Sequence, residues 1–255
     1  MTAAIRVEDL RFAYHGRGPT VLDQVSWEVP QNAFVALIGP NGGGKTTLLQ
    51  LCLGLLRPDG GRVALLGAPP RRTRHRVGYI PQRDNIDTGT PHDALEVVLT
   101  GRLAHSRWGF RYSRADRERG LHALERVGLA DQARRSLAEL SGGQRQRVRI
   151  ARALAAEAEM LMLDEPLTGV DPVTEEDLLG LLDELNRDHT IVMVSHDVAC
   201  VSRHVTHVAC CNGCVAMHTA AELSDVDVHH LYHAPGQCRP LVHEHGCPIG
   251  PGTKD

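Results

Sequence analysis

Lysine is nearly missing from this chain. Only Lys45 and Lys254 occur among 28 basic residues, and the rest are arginine. No apolar run approaches the ~20 residues that a membrane-spanning helix needs. The N-terminal stretch Met1-Thr2-Ala3-Ala4-Ile5-Arg6 lacks the basic-then-apolar pattern of a secretory leader. The chain is therefore expected to stay in the cytosol, and any passage through a bilayer must be supplied by another chain. Positive charge is not in excess either. A net charge of −3 argues against a nucleic-acid partner. No internal repeat is present. With 255 residues, 42% hydrophobic and 23% charged, the composition is that of an ordinary globular protein with ample core. Seven cysteines occur, and in a cytosolic chain they are expected as reduced thiols.

The apolar pattern places strands at 5–14, 25–29, 62–66 and 77–80. Ala33 to Ile38 is a short continuous apolar run ahead of glycines, which suits a buried strand feeding a loop. Lys45 to Leu53 reads as a helix. Residues 91 to about 156 turn helical in pattern, with Ala94–Leu99 and then Leu121, Leu124 and Val127 at helical spacing. Ser113-Arg114-Ala115-Asp116 predicts a capping box opening the second of these helices. Strands return at 160–163 and 190–194. Between them Asp171-Pro172 starts a helix that runs to about Asn186, with Asp at the N-cap and Pro at the first helical position.

One of the two lysines sits in Gly39-Pro40-Asn41-Gly42-Gly43-Gly44-Lys45-Thr46-Thr47, which fits G-x-x-x-x-G-K-[ST]. Glycines at Gly39, Gly42 and Gly44 let backbone N–H groups turn inward, and the following helix N-terminus adds its dipole. A compact ammonium fits among phosphates where a forked guanidinium would not. Lys45 would reach the β- and γ-phosphates, and the Thr46 hydroxyl would ligate Mg2+. Downstream, Met160-Leu161-Met162-Leu163-Asp164-Glu165 ends an apolar strand in two carboxylates. Asp164 can hold Mg2+, and Glu165 can polarise an attacking water.

Ahead of that strand lies Leu140-Ser141-Gly142-Gly143-Gln144. The Gly142-Gly143 pair alone reads as a helix-start turn. Together, in this order and spacing, the three segments resemble the ATPase subunit of an ATP-binding-cassette transporter, over about residues 5–223. The resemblance implies an α/β fold: a P-loop NTPase core with a mixed sheet flanked by helices, an inserted helical subdomain and a short antiparallel β subdomain. It implies an ATPase domain over 1–225, with the core at 1–85 and 157–225, the helical unit at 86–156, and a separate tail at 226–255. ATP and Mg2+ are the implied cofactors. Tyr14 would stack on adenine, beside Gly39, Asn41, Gly42, Gly44, Lys45, Thr46 and Thr47. Gln82, in Tyr79-Ile80-Pro81-Gln82, would link Mg2+ and water to the transporter interface, and His196 would bond the γ-phosphate. Ser141, Gly142, Gly143, Gln144 and Asp171 would reach the nucleotide held by a second, head-to-tail copy. The partners implied are that second copy, an integral membrane permease and, indirectly, an extracytoplasmic metal-binding protein. The location implied is the cytoplasmic face of the cell membrane. Gly43 stands where the family often has Ser or Ala, a departure that leaves the backbone role intact.

The segment from Tyr79 to Arg102, with the Gly-Gly-Gly-Lys-Thr-Thr loop, is similar to subunits of zinc and manganese importers. His207-Val208-Ala209-Cys210-Cys211-Asn212-Gly213, followed by His218, resembles the zinc branch. Imidazole and thiolate groups at His229, His230, His233, Cys238, His243, His245 and Cys247 suit Zn2+ better than a hard cation. The tail that carries them is expected to bind zinc weakly. No Asn-Lys-x-Asp guanine reader is present, and neither a second cassette nor a coiled-coil insertion is visible. Arg102, Arg107, Arg111, Arg114, Arg117 and Arg119 are expected on a solvated helical face.

Overall fold

The computed structural model describes residues 3–14, 18–82, 92–105, 112–195 and 203–222. Among these residues nine strands form two sheets. The first is antiparallel, with β1 (Ala3–Ala13) between β2 (Thr20–Pro30) and β4 (Gly60–Leu65). The second holds β3 (Phe34–Ile38), β5 (Val77–Ile80), β6 (Met160–Asp164), β7 (Thr190–Val194), β8 (His207–Cys211) and β9 (Val215–Thr219). Its order is β5-β6-β7-β3-β8-β9, parallel as far as β8, with β9 turning back antiparallel at the edge. The expected α/β architecture with a mixed sheet is therefore present. The strand expected at 25–29 extends further in both directions.

Strands β3, β6 and β7 are buried along their whole length. A parallel strand covered on both faces needs apolar side chains at every position, which explains runs without alternation. Alternate residues still separate into two cores. Phe34, Ala36, Ile38, Leu161, Leu163, Ile191 and Met193 face one core, shared with helices α3 (Ala94–Leu99), α4 (Arg114–Arg126), α5 (Gly142–Ala155) and α6 (Pro172–Asn186). Val35, Leu37, Met160, Met162, Val192 and Val194 face the other, shared with α1 (Lys45–Cys52) and the antiparallel sheet. A short α2 (Pro70–Thr73) precedes β5.

Helix starts follow the sequence. Ser113 accepts from the Asp116 N–H, and the Asp116 carboxylate accepts from the Ser113 N–H, closing the expected capping box. Asp171 caps α6 through the Thr174 N–H at 3.1 Å, with Pro172 next. Two expectations are corrected. Arg102 is not on a solvated face; it is 3% exposed, drawn inward by the Asp116 carboxylate and the Ala155 carbonyl. Cys52, Cys210 and Cys211 carry thiols, but Cys214 is disulfide-bonded. Among the described residues no helix is long and apolar enough to cross a membrane.

Candidate nucleotide-binding site

The parallel strands deliver the candidate residues to one edge of the sheet. Loops leaving the carboxyl ends of β3, β5 and β6 begin at the same end of the sheet, β5 beside β6 and β3 across β7 from them. Ile80 pairs with Leu163, so Gln82 and Glu165 each lie two residues beyond a paired position. Their side chains meet, with Gln82 Nε2 donating to Glu165 Oε2. Glu165 adopts a left-handed backbone, φ 52°, and the Thr168 hydroxyl donates to the same carboxylate at 3.3 Å. These contacts fix where the carboxylate points.

The loop from Gly39 to Gly44 follows β3. Gly39, Gly42 and Gly44 have φ of 147°, 78° and 96°, where a side chain is strained. At Gly39 a Cβ would also stand 2.0 Å from the Cys211 carbonyl oxygen. Gly43 proves less neutral than the sequence suggests. A Cβ there would meet Cys211 O at 2.8 Å and Pro40 O at 3.0 Å, so Ser or Ala would force the backbone to shift. Gly44 caps α1 without a side-chain acceptor, so the first N–H groups of that helix are left for an anion. The Lys45 ammonium folds onto the Gly39 and Pro40 carbonyls at 2.8 and 2.9 Å. Burial pushes its pKa below the ordinary lysine value, against the pull of nearby Cys211, Glu165 and Asp164.

The Thr46 hydroxyl donates to Asp164 Oδ1 at 3.1 Å. Asp164 is 2% exposed, and burial raises its pKa, while the Thr46 and Tyr79 hydroxyls oppose that rise. A hydroxyl and a carboxylate oxygen side by side form a hard donor set, which fits Mg2+. Thr46 and Asp164 would hold the ion, and when bound it would neutralise charge on the phosphate oxygens.

A cavity of about 240 Å³ opens above the loop, lined by Tyr14, Val21, Asn41, Gly42, Gly44, Lys45, Thr46, Thr47 and Glu165. Tyr14 leans edge-on against Phe12, with centroids 5.0 Å apart, and its hydroxyl lies 3.1 Å from Thr47 Oγ1. An exposed aromatic so braced offers a face to a planar base.

Ser141, Gly142, Gly143, Gln144 and Asp171 do not line this cavity. They cluster on a separate surface. Ser141 and Gln144 form a reciprocal capping box at the start of α5, at 3.2 and 3.0 Å. A Cβ on Gly143 would run into the Thr174 methyl at 2.1 Å, and Thr174 is the residue that Asp171 caps. The five residues therefore form one patch, held in shape by backbone and short side chains. Sequence reasoning missed the S-x-x-Q signal of this capping box, and also Tyr79, Thr168 and Thr174, whose contacts join distant segments. His196 and the tail residues His229, His230, His233, Cys238, His243, His245 and Cys247 lie outside the described residues.

Comparison with known proteins identifies the family. The ABC transporter family matches residues 22–168. The chain is 44% identical over 200 residues, 78% of its length and 82% of the relative's, to a "Probable metal transport system ATP-binding protein" of Chlamydia pneumoniae. It is 40% identical over 210 residues to the zinc transport system ATP-binding protein TroB of Treponema pallidum, covering 82% of this chain and 78% of that one. To the manganese transport system ATP-binding protein MntB of Bacillus subtilis it is 40% identical over 195 residues, 76% and 77% of the two chains. Among solved structures, an ATP-binding cassette of an ABC transporter in its ADP conformation superposes with a TM-score of 0.78 at 27% identity, over 91% of this chain and 98% of that one. A dimeric bacterial ABC transporter cassette superposes with a TM-score of 0.71 at 28% identity, over 85% and 98%. A family match across more than half of the sequence, with relatives named as ATP-binding proteins of transport systems, leads to one conclusion: the chain belongs to the ABC transporter family and is an ATP-binding subunit of that kind.

Proposed function

We propose that the chain is the ATP-hydrolysing subunit of an importer for a divalent metal ion, with zinc as the cargo. The observation that carries the ATPase part is the split of the site into two surfaces. The cleft lined by Lys45, Thr46 and Glu165 can grip one face of a nucleotide, and the patch of Ser141, Gly142, Gly143, Gln144 and Asp171, which does not line that cleft, stands at the starts of α5 and α6. Two copies arranged head to tail would place each patch over the partner's cleft and enclose two Mg·ATP. Glu165 would take the proton of an attacking water, steadied by Gln82 and Thr168. Gln82 and a helical insert, which we place at 86–156, would carry the resulting motion to a permease at the cytoplasmic face of the membrane. His196 would contact the γ-phosphate, and an extracytoplasmic metal-binding protein would deliver the cargo.

Metal as cargo is supported by identities of 40–44% to relatives named for metal, zinc and manganese transport. Zinc is favoured over manganese by the imidazole and thiolate groups of the tail.

Lys45→Ala is expected to weaken ATP binding by roughly 10- to 100-fold, the loss of charge-assisted hydrogen bonds to phosphate. Titration calorimetry with ADP and ATP measures it, and an unchanged affinity would remove Lys45 from the phosphate role. The cargo is tested by metal uptake in a strain lacking this chain, with radioactive Zn2+ and Mn2+ compared directly. Loss of zinc uptake alone is expected. Loss of manganese uptake alone would reassign the cargo, and loss of neither would overturn metal import.

A further inference from the structure

The N–H groups around a phosphate loop are only as well aimed as the peptide planes that carry them. In a planar trans peptide, the carbonyl of one residue and the N–H of the next point in opposite directions. Whatever holds the Gly43 carbonyl from behind the loop therefore turns the Gly44 N–H forward, and Gly44 lines the cleft.

Two donors hold that carbonyl, one from the last residue of β8 and one from the turn that leads on to β9. The Gly213 N–H reaches it at 3.1 Å and the Cys211 thiol at 3.2 Å. The turn is itself anchored. Cys210 stands in register with Ile38, so Cys211 follows directly under Gly39. The Gly213 carbonyl accepts from the Asp23 N–H of β2 at 2.9 Å. The Cys211 carbonyl fills the space where side chains at Gly39 and Gly43 would stand. Cys211 is fully buried, and burial pushes its thiol up to about 12, so it keeps its proton and remains a donor at neutral pH.

We propose that Cys211 is a positioning residue of the nucleotide site: its thiol, donated to the Gly43 carbonyl, aims the Gly44 N–H at the phosphates. The proposal rests on the nucleotide reading of the cleft and goes beyond it, because Cys211 touches no ligand. Cys210 supplies an internal control. It is the same residue type, also buried, on the opposite face of the same strand, where it packs into the α3–α6 core.

The test measures the Kd for ADP by calorimetry and the KM and kcat for ATP in Cys211→Ala, Cys211→Ser and Cys210→Ala. Wild type is titrated first; if it binds no ADP, the nucleotide reading itself fails and the proposal with it. With binding present, Cys211→Ala is expected to raise Kd and KM together by roughly three- to tenfold, the loss of one neutral hydrogen bond. Its kcat should hold within about twofold. Cys211→Ser keeps an O–H donor and should restore affinity, and Cys210→Ala should leave Kd unchanged. If Cys211→Ala does not fold, Cys211→Val fills the volume without a donor and is read in its place. An ADP affinity in the donor-less variant equal to wild type would overturn the proposal. So would an equal loss in Cys210→Ala, or no recovery in Cys211→Ser.

Discussion

Glu165→Gln is expected to lower ATP turnover by roughly 10²- to 10⁴-fold, the usual contribution of a positioned general base. The substitution is nearly isosteric. Glu165 lies at the rim of the cleft in a left-handed conformation, and its Oε2 accepts from Gln82 and from Thr168 at 3.3 Å. A glutamine can turn its carbonyl oxygen toward those two donors, so the loop should keep its shape. What it loses is the capacity to take a proton. Nucleotide should still bind and stay intact, and the enclosed two-copy species should accumulate. Light scattering after chromatography in Mg·ATP should show a dimer for this variant and a monomer when nucleotide is withheld. Turnover at the wild-type rate would take Glu165 out of the role. A dead variant that never dimerises would point instead to a Glu165 needed for binding.

The second large effect concerns stability. Arg102→Ala is expected to destabilise the fold by roughly 3–5 kcal/mol, the range for breaking a buried ion pair from one side. The guanidinium joins three segments. Its Nε donates to Asp116 Oδ1 at 3.0 Å, and its Nη1 donates to the Ala155 carbonyl at 2.9 Å and meets Glu157 at 3.1 Å. Alanine would leave the buried Asp116 carboxylate and the Ala155 carbonyl short of a donor. Lysine should recover only part of the loss, because one ammonium cannot span all three partners. Urea unfolding gives the number, and a change under about 1 kcal/mol would discard the account. The pH dependence supplies a second check. The Ser113 hydroxyl and N–H, and then Arg102, hold the Asp116 carboxyl at about 2, below its ordinary 3.8. A depressed carboxyl stabilises the fold above its ordinary value and loses that contribution as pH falls through the folded one. The gap between wild type and Arg102→Ala should therefore narrow between about pH 4 and pH 2, as Asp116 takes up its proton. A constant gap across that window would mean that the pair contributes through packing alone.

The framework was legible wherever local chemistry dictates it. β3, β5, β6 and β7, the Ser113 cap and the Asp171-Pro172 start all lie where the pattern places them, because burial of both sheet faces and helix capping act over a few neighbouring residues. The place of the glycine loop between β3 and α1, and of Asp164-Glu165 at the end of β6, was legible for the same reason. Other features were not. The β8–β9 hairpin was read only as a likeness to zinc-branch subunits, although Asn212-Gly213 between two short apolar runs is a strong hairpin-turn signal that could have found it. Cys211 meets Gly43 across 168 residues of sequence, a contact that no local pattern encodes. Arg102 was grouped with its exposed neighbours because a charge count cannot tell a guanidinium in water from one paired with Asp116. Arg114, Arg117 and Arg119, in the same run, are exposed as expected.

The apolar cluster under α3, α4 and α5 does not stop at those helices. Val97, Leu124, Val148 and Ile150 belong to the same continuous body as Phe34, Leu161 and Ile191 of the sheet. The helices consequently have no dry interior of their own. Cut out and expressed alone, residues 92–156 would present their sticky underside to solvent and clump. Grafted onto a different cassette, they would need that host's sheet to offer matching bumps and hollows. Swapping this region between relatives to alter partner choice is thus a problem of refitting a shared seam, and the seam has to be exchanged along with the helices.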